Sequence, residues 1–131
     1  MITKIIKNYE MSPEVYKLRR QVINLIYKAK NAGVNLPRID VRIGSANKGH
    51  DNVLGVGRLS KNQIWITERA ISKSQNYLAH VVYHEIGHAV FGLEHDEKCP
   101  LMKSIIDKPV TMKQALSILK KYAQVQDKLV A

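Results

Sequence analysis

The chain is poor in cysteine, since its 131 residues include only Cys99. An internal disulfide is therefore excluded, which agrees with a reducing compartment. No stretch approaches the run of about 18 apolar residues that a membrane-spanning helix needs. Residues 1–12 also lack the apolar core and the cleavage site of a secretory signal. We therefore expect a single domain over residues 1–131 that is cytoplasmic, monomeric and not attached to a membrane.

Acidic residues are scarce at both ends of the chain, and the formal net charge is +10. Lys and Arg outnumber Asp and Glu by 8 to 3 in residues 1–40 and by 7 to 2 in residues 98–131, whereas residues 41–97 carry 6 of each. The positive charge therefore lies in the two flanking segments. Such a charge could attract nucleic acid or an acidic partner. The competing interpretation, which we favour, is an ordinary solvated surface, because the lysines are scattered and neither an interleaving of aromatic and basic residues nor a nucleic-acid motif accompanies them.

Apolar periodicity and capping residues predict three helices. Ser12 and Pro13 form an N-cap and a first-turn proline, and apolar residues then recur every three or four positions until Gly33. A second periodic segment follows Ser74, and the pair Thr111 and Gln114 forms a capping box before a third. The predicted helices are 13–32, 74–91 and one that begins at Thr111.

Alternating apolar residues predict strands in three segments, at 39–43, 53–59 and 64–67. Residues 44–52 are turn-formers and predict a loop, and the Ile2–Ile6 segment could be a strand or an arm. The expected fold class is α+β. It comprises a small twisted sheet of mostly parallel or mixed strands, a backing helix, an active-site helix and a C-terminal helix.

The residues that carry chemistry are His84, Glu85 and His88 in the sequence His-Glu-x-x-His. On a helix, side chains at i and i+4 project from the same face, so the two imidazoles could bind one metal ion. A hydrolytic zinc site takes three protein ligands and leaves one position open for water. Glu85 would share the cleft as a general base.

The third ligand must come from elsewhere in the chain. No glutamate follows Glu97, which excludes a site completed by a glutamate on a later helix. The nearby candidates are Glu94, His95, Asp96 and the more distant Asp107. Among these, a histidine reached just after a glycine reversal has the strongest chemical precedent.

The His-Glu-x-x-His sequence at 84–88, the step Gly92-x-x-His95 and the turn Cys99-Pro100-Leu101-Met102 together resemble the metzincin clan of zinc endopeptidases. The closest resemblance is to a minimal matrixin-like catalytic core. In that core an edge strand, a second strand and the active-site helix also follow one another in this order. The resemblance covers residues 39–106 in pattern, while the flanking helices fit the fold only by type.

The resemblance implies a zinc metallopeptidase with one catalytic zinc ion and a peptide or protein substrate. His84, His88 and His95 would hold the metal, and Glu85 would act as general base and then as general acid. Met102 would be the structural methionine of the Met-turn, which lies beneath the metal.

The predicted strand 53–59 contains Gly55, Val56 and Gly57, which are candidate substrate-binding residues. An edge strand without large side chains can pair with an extended peptide through backbone hydrogen bonds. A bulge or a local twist explains the two glycines equally well.

The spacing departs from the family pattern at one point. The family's glycine stands three residues after the second histidine, whereas Gly92 stands four residues after His88. One additional helical residue rotates the exit from the helix by about 100°. Either a local bulge restores the direction and His95 is the ligand, which we favour because Gly-x-x-His is intact, or Glu94 takes its place.

Four further residues are of types that often bind metals or substrates, but each also has a purely structural interpretation. His80 lies one turn before the motif and is expected to be a partly exposed helix residue, and His50 is expected to be solvated in its loop. Cys99 is expected to be a small buried residue that shapes its turn. Trp65 either packs under a flanking helix or lines the cleft.

The sequence therefore favours a zinc-dependent endopeptidase that hydrolyses peptide bonds with metal-activated water. The alternative is a basic zinc-containing adaptor, or a DNA-associated protein or protease, that uses its cationic flanking helices. The intact Glu85 argues against an inactive scaffold, because a purely structural zinc gains nothing from a base beside it.

Overall fold

The computed structural model describes residues 13–44, 55–58, 62–67, 74–106 and 108–130. The expected α+β class is confirmed, and the helices and strands end within two residues of their predicted bounds. The predicted segment at residues 2–6, nearly all of the loop 44–52 and His50 lie outside the described residues. The elements are α1 (Pro13–Asn31), β1 (Asp40–Ile43), β2 (Gly55–Arg58), β3 (Gln63–Ile66), α2 (Gln75–Ala89) and α3 (Met112–Val130).

The three strands form a mixed sheet in the order β1-β3-β2. β1 pairs with β3 in parallel, with Val41 opposite Ile64, and β2 pairs with β3 antiparallel, with Gly57 opposite the same residue. The prediction of a mixed sheet is therefore confirmed. Among the strands that the structure describes, β2 lies at one edge of the sheet, as the sequence indicated.

Helix α2 lies at the centre of the fold, where it packs against α1, α3, β2 and β3. Every residue from Leu78 to Gly87 is buried, so the helix has no solvent-facing side along this stretch. The hydroxyl of Tyr83 donates a 2.7 Å hydrogen bond to the carbonyl of Leu25 and ties α2 to α1. Ser74 caps the helix, since its hydroxyl accepts from the backbone N–H of Tyr77. The side chains of His80, His84 and Glu85, which lie within this stretch, are therefore enclosed by protein.

The core lies between α1, α2, α3 and one face of the sheet, where the apolar stripes of the helices meet the alternating residues of the strands. Its fully enclosed members include Leu18, Val22, Ile64, Ile66, Val82, Ile86, Leu101 and Leu119.

The other face of the sheet carries a polar network. Arg42 pairs with Asp40 at 3.0 Å, and the amide of Gln63 donates to the same carboxylate at 2.8 Å. The indole N–H of Trp65 donates to the Gln63 side-chain oxygen at 2.9 Å, and Trp65 is only 1% exposed. Trp65 is thus a buried member of this network, on the sheet face opposite Ile64 and Ile66.

The candidate metal centre

Helix α2 brings His84 and His88 together one turn apart, as the i and i+4 spacing predicts. Their Nε2 atoms are 3.1 Å apart, and their ring centroids are separated by 4.7 Å. His84 is 6% exposed and His88 is half-buried. The pair therefore lies at the end of α2 where the enclosed part of the helix meets solvent.

Backbone carbonyls set the orientation of both rings. The Nδ1–H of His84 donates to the carbonyl of Leu101 at 2.7 Å, and the Nδ1–H of His88 donates to the carbonyl of Leu93. In a neutral imidazole this leaves Nε2 without a proton, so its lone pair is available to a metal. Two lone pairs that face each other at 3.1 Å repel, and a cation shared between them removes that repulsion.

The turn that follows α2 accommodates the one additional residue between His88 and Gly92. The helix ends at Ala89, Gly92 adopts a left-handed backbone with φ of 65°, and the N–H of Leu93 donates to the carbonyl of Gly87 at 2.9 Å. This wide turn contains the seven residues 87–93, and it reverses the chain.

The reversal places His95 beside the helical pair. Its ring centroid lies 5.3 Å from that of His84 and 4.9 Å from that of His88. The three residues offer ring nitrogens that all lie within 4.8 Å of one another. Within the described residues, neither Glu94 nor Asp96 joins this cluster, and Asp107 lies outside those residues.

The donor set fits zinc chemically. A tetrahedral zinc ion with Zn–N bonds of about 2.0–2.1 Å requires its nitrogen ligands to be about 3.3 Å apart. The 3.1 Å separation of the His84 and His88 Nε2 atoms is close to this value. His95 is exposed, so its side chain can move the short distance that a closed triangle needs.

Burial keeps the helical imidazoles in the form that binds metal. Burial, together with the neighbouring rings of His88, His95 and His80, lowers the pKa of His84 to about 4, and the Leu101 carbonyl opposes this only in part. Burial is also the main cause of the lowered pKa of His88. Metal ligands must be deprotonated, so both rings are ready to donate at neutral pH.

Glu85 follows His84 directly and is 6% exposed. Burial raises the pKa of its carboxyl to about 8. A carboxyl group is seldom enclosed in this way, and groups with strongly shifted pKa values are common at functional sites. A nearby cation would favour its ionised form.

Met102 lies against Gly87 within the core and is 1% exposed. A carbon placed at the Cβ position of Gly87 would be only 2.7 Å from the Met102 sulfur. The turn that carries Met102 is held by backbone hydrogen bonds from Cys99 to Asp96, from Met102 to Cys99 and from Asp96 to Met102. Cys99 is half-buried rather than buried within this turn.

The prediction for His80 was wrong, because this residue is 1% exposed. Its Nδ1 accepts a 3.0 Å hydrogen bond from the N–H of Val110, so its Nε2 carries the proton. Burial lowers its pKa, and the nearby Leu101 carbonyl acts in the opposite direction. His80 does not belong to the metal-ligand cluster, although its ring stacks 6.3 Å from that of His84. The enclosure of α2 on all sides explains the burial.

A cavity and the strand β2 are the remaining features that bear on the site predicted from the sequence. A cavity of 430 Å³ is lined by His95, Glu94, Met102 and Tyr122, among others. Tyr122 was not among the site residues that the sequence indicated. Neither were the carbonyls of Leu93 and Leu101, since backbone groups leave no residue-type signal. The candidate strand residues lie in β2, where Gly55, Val56 and Gly57 pair with β3 on one side.

Within the described part of the chain, no helix has the length and apolar character needed to cross a membrane. No protein-family model matches the chain, and neither the curated proteins nor the solved structures contain a significant match.

Proposed function

We propose that this protein is a zinc-dependent endopeptidase of metzincin-like design. The observation that carries the proposal is the convergence of His84, His88 and His95, with two unprotonated Nε2 atoms 3.1 Å apart and a buried Glu85 next in sequence. A metal site that is buried on all sides would have a structural role. His95 is exposed to solvent, which favours a catalytic site that reactants can reach.

Each residue of the centre has a separate task in this proposal. The three imidazoles would hold the ion, and the Leu101 and Leu93 carbonyls would keep the helical rings oriented. When bound, zinc would supply Lewis acidity and lower the pKa of a water molecule toward about 7. Glu85 would take the proton from the attacking water and deliver it to the leaving amine.

The substrate would be an extended peptide that lies across the centre. The 430 Å³ cavity beside His95 would accept one of its side chains, and Tyr122 lines that cavity with a half-exposed phenol. β2 is an edge strand that packs near α2, so the backbone of Gly55 to Gly57 would hold the peptide by strand addition.

Metal analysis and an activity assay on matched variants test the proposal. The purified protein should contain about one zinc ion per chain. Glu85→Gln should retain the metal and lose cleavage of an unstructured, fluorescently labelled protein. Metal-free protein with an intact fold, or cleavage that survives in Glu85→Gln, would overturn the proposal.

The third ligand has its own matched control. His95→Ala should weaken zinc affinity by more than the roughly 10- to 100-fold that loss of an outer hydrogen-bond partner costs. Glu94→Gln changes the neighbouring residue, which lies outside the cluster, and should leave zinc affinity unchanged. If Glu94→Gln weakens zinc affinity and His95→Ala does not, Glu94 is the third metal ligand.

A further inference from the structure

One face of α1 carries exposed aromatic and basic side chains together, although no such interleaving was expected from the sequence. Tyr16, Arg20, Ile23, Tyr27 and Lys30 follow one another at steps of four and three residues, which places them in a single stripe along the helix. Tyr16 is 52% exposed and Tyr27 is 57% exposed. The two phenol rings are eleven residues apart, or about 16 Å along the helix axis. Tyrosine is enriched at binding surfaces, because its ring is apolar and its hydroxyl is polar.

A cavity of 760 Å³ adjoins the C-terminal half of this stripe. Arg19, Tyr27, Lys30, Arg38 and Asp40 contribute its polar lining. The carboxylate of Asp40 is already engaged by partners on the sheet, Arg42 at 3.0 Å and Gln63 at 2.8 Å. The groove therefore presents an excess of positive charge beside an exposed aromatic ring.

We propose that this surface, formed by Tyr16, Arg20, Tyr27, Lys30 and Arg38, binds single-stranded nucleic acid. Phosphates would lie against the guanidinium and ammonium groups, and unstacked bases would stack on the two phenol rings. Sequence-tolerant binding of single strands combines these two features, a basic groove and exposed aromatic platforms. Lys30 Nζ lies over one face of the Tyr27 ring, 5.7 Å from its centroid. A phosphate bound to this ammonium would therefore lie beside the ring, and a base would stack on the opposite face of the phenol.

The aromatic residues favour a single strand over other polyanions. The bases of a duplex are already stacked, so exposed tyrosines add nothing to its binding, and an acidic peptide supplies charge without a flat ring. None of the five residues belongs to the metal centre, so the inference goes beyond the proposed peptidase activity. It also locates the nucleic-acid contact that the charge of the N-terminal segment only suggested.

Fluorescence anisotropy with a labelled oligo(dT) of about 12 nucleotides, a length within the known range of single-strand site sizes, tests the proposal on the full chain. Tyr27→Leu should weaken binding about fivefold to 150-fold, the range that loss of one stacked base produces. Tyr27→Phe keeps the ring and should bind like the wild type. Equal affinities for the leucine and phenylalanine variants would overturn the proposal.

Salt dependence tests the phosphate contacts. Each phosphate contact on a single strand contributes about −0.7 to the slope of log K against log salt concentration. The double variant Lys30→Ala/Arg38→Ala should therefore lose about 1.4 of that slope. The matched control Lys113→Ala/Lys121→Ala removes two exposed charges from α3 and should leave the slope unchanged.

Two further results would contradict a single-strand site. An equal loss of slope in the control pair would mean diffuse attraction to the whole basic surface. Polyglutamate that competes as well as unlabelled oligo(dT) would mean that the surface recognises acidic peptides instead. Glu85→Gln should bind the oligonucleotide like the wild type, which separates this test from that of the peptidase.

Discussion

The packing of Met102 against Gly87 predicts that a single methyl group added to α2 will destabilise the protein. In Gly87→Ala the new carbon would lie 2.7 Å from the Met102 sulfur, 3.2 Å from its terminal methyl carbon and 3.4 Å from a methyl carbon of Leu93. The last distance is an ordinary contact, so the conflict is with Met102. Met102 is 1% exposed, so its side chain can make room only by repacking against the core or toward the adjoining cavity.

Two effects of opposite sign determine the magnitude. Overpacking a core by one methyl group costs about 1–3 kcal/mol. Alanine is favoured over glycine within a helix by about 1 kcal/mol. We therefore expect Gly87→Ala to lower the free energy of unfolding by up to about 2 kcal/mol.

A double-mutant cycle separates the two effects. Met102→Ala alone should cost about 2–5 kcal/mol through the cavity it leaves. In that background Gly87→Ala meets no sulfur, so the same substitution should become stabilising by about 1 kcal/mol. Urea unfolding of the four proteins measures the coupling. If Gly87→Ala stabilises the parent protein as much as it stabilises Met102→Ala, the packing of Met102 against the helix is refuted.

Three further substitutions test the contacts that position the centre, each by urea unfolding. Tyr83→Phe removes the 2.7 Å hydrogen bond to the Leu25 carbonyl and should cost about 1 kcal/mol; an unchanged stability would show that the bond contributes nothing. Gly92→Ala forces a Cβ into a left-handed backbone with φ of 65° and should cost about 1–2 kcal/mol, whereas Gly92→Asn should cost less. If the alanine and asparagine variants lose the same stability, the backbone at residue 92 does not keep its left-handed conformation. Thr111→Ala removes the hydroxyl that accepts from the Gln114 N–H at 3.2 Å and should cost about 1 kcal/mol, most of which Thr111→Ser should restore.

The helices and strands could be predicted from local sequence because caps and periodicity are local properties. Ser74 caps α2 through its hydroxyl, and the Thr111 and Gln114 side chains form the expected capping box. Gly33, where the apolar periodicity ends, has a φ of 99° just after α1, a left-handed conformation typical of a helix C-terminus. The pairing of β1 with β3 is not local, and the sequence predicted only that a mixed sheet would form.

The burial of His80 could not be predicted in this way. A helix with polar residues at several positions suggests an exposed side, yet α2 is covered by α1, α3, β2 and β3. That cover depends on the packing of elements far apart in sequence. The partner of the His80 ring is the backbone N–H of Val110, thirty residues away.

The choice between Glu94 and His95 likewise depended on geometry that residue types do not encode. The sequence showed that one residue too many precedes Gly92. The structure accommodates it in a wide turn closed by the hydrogen bond from Leu93 to Gly87. His95 therefore joins the imidazole cluster, and Glu94 does not.

The use of main-chain carbonyls to orient the two helical imidazoles has a consequence for how this site could change over generations. A carboxylate that performed the same task could be lost by one base change, whereas the carbonyls of Leu93 and Leu101 persist whatever side chains those positions carry. The orientation of the rings depends on the path of the loop, which the left-handed Gly92 and the enclosed Leu101 help to set. Exposed loop positions such as Glu94 and Lys98 are therefore free to vary while the histidines keep their alignment.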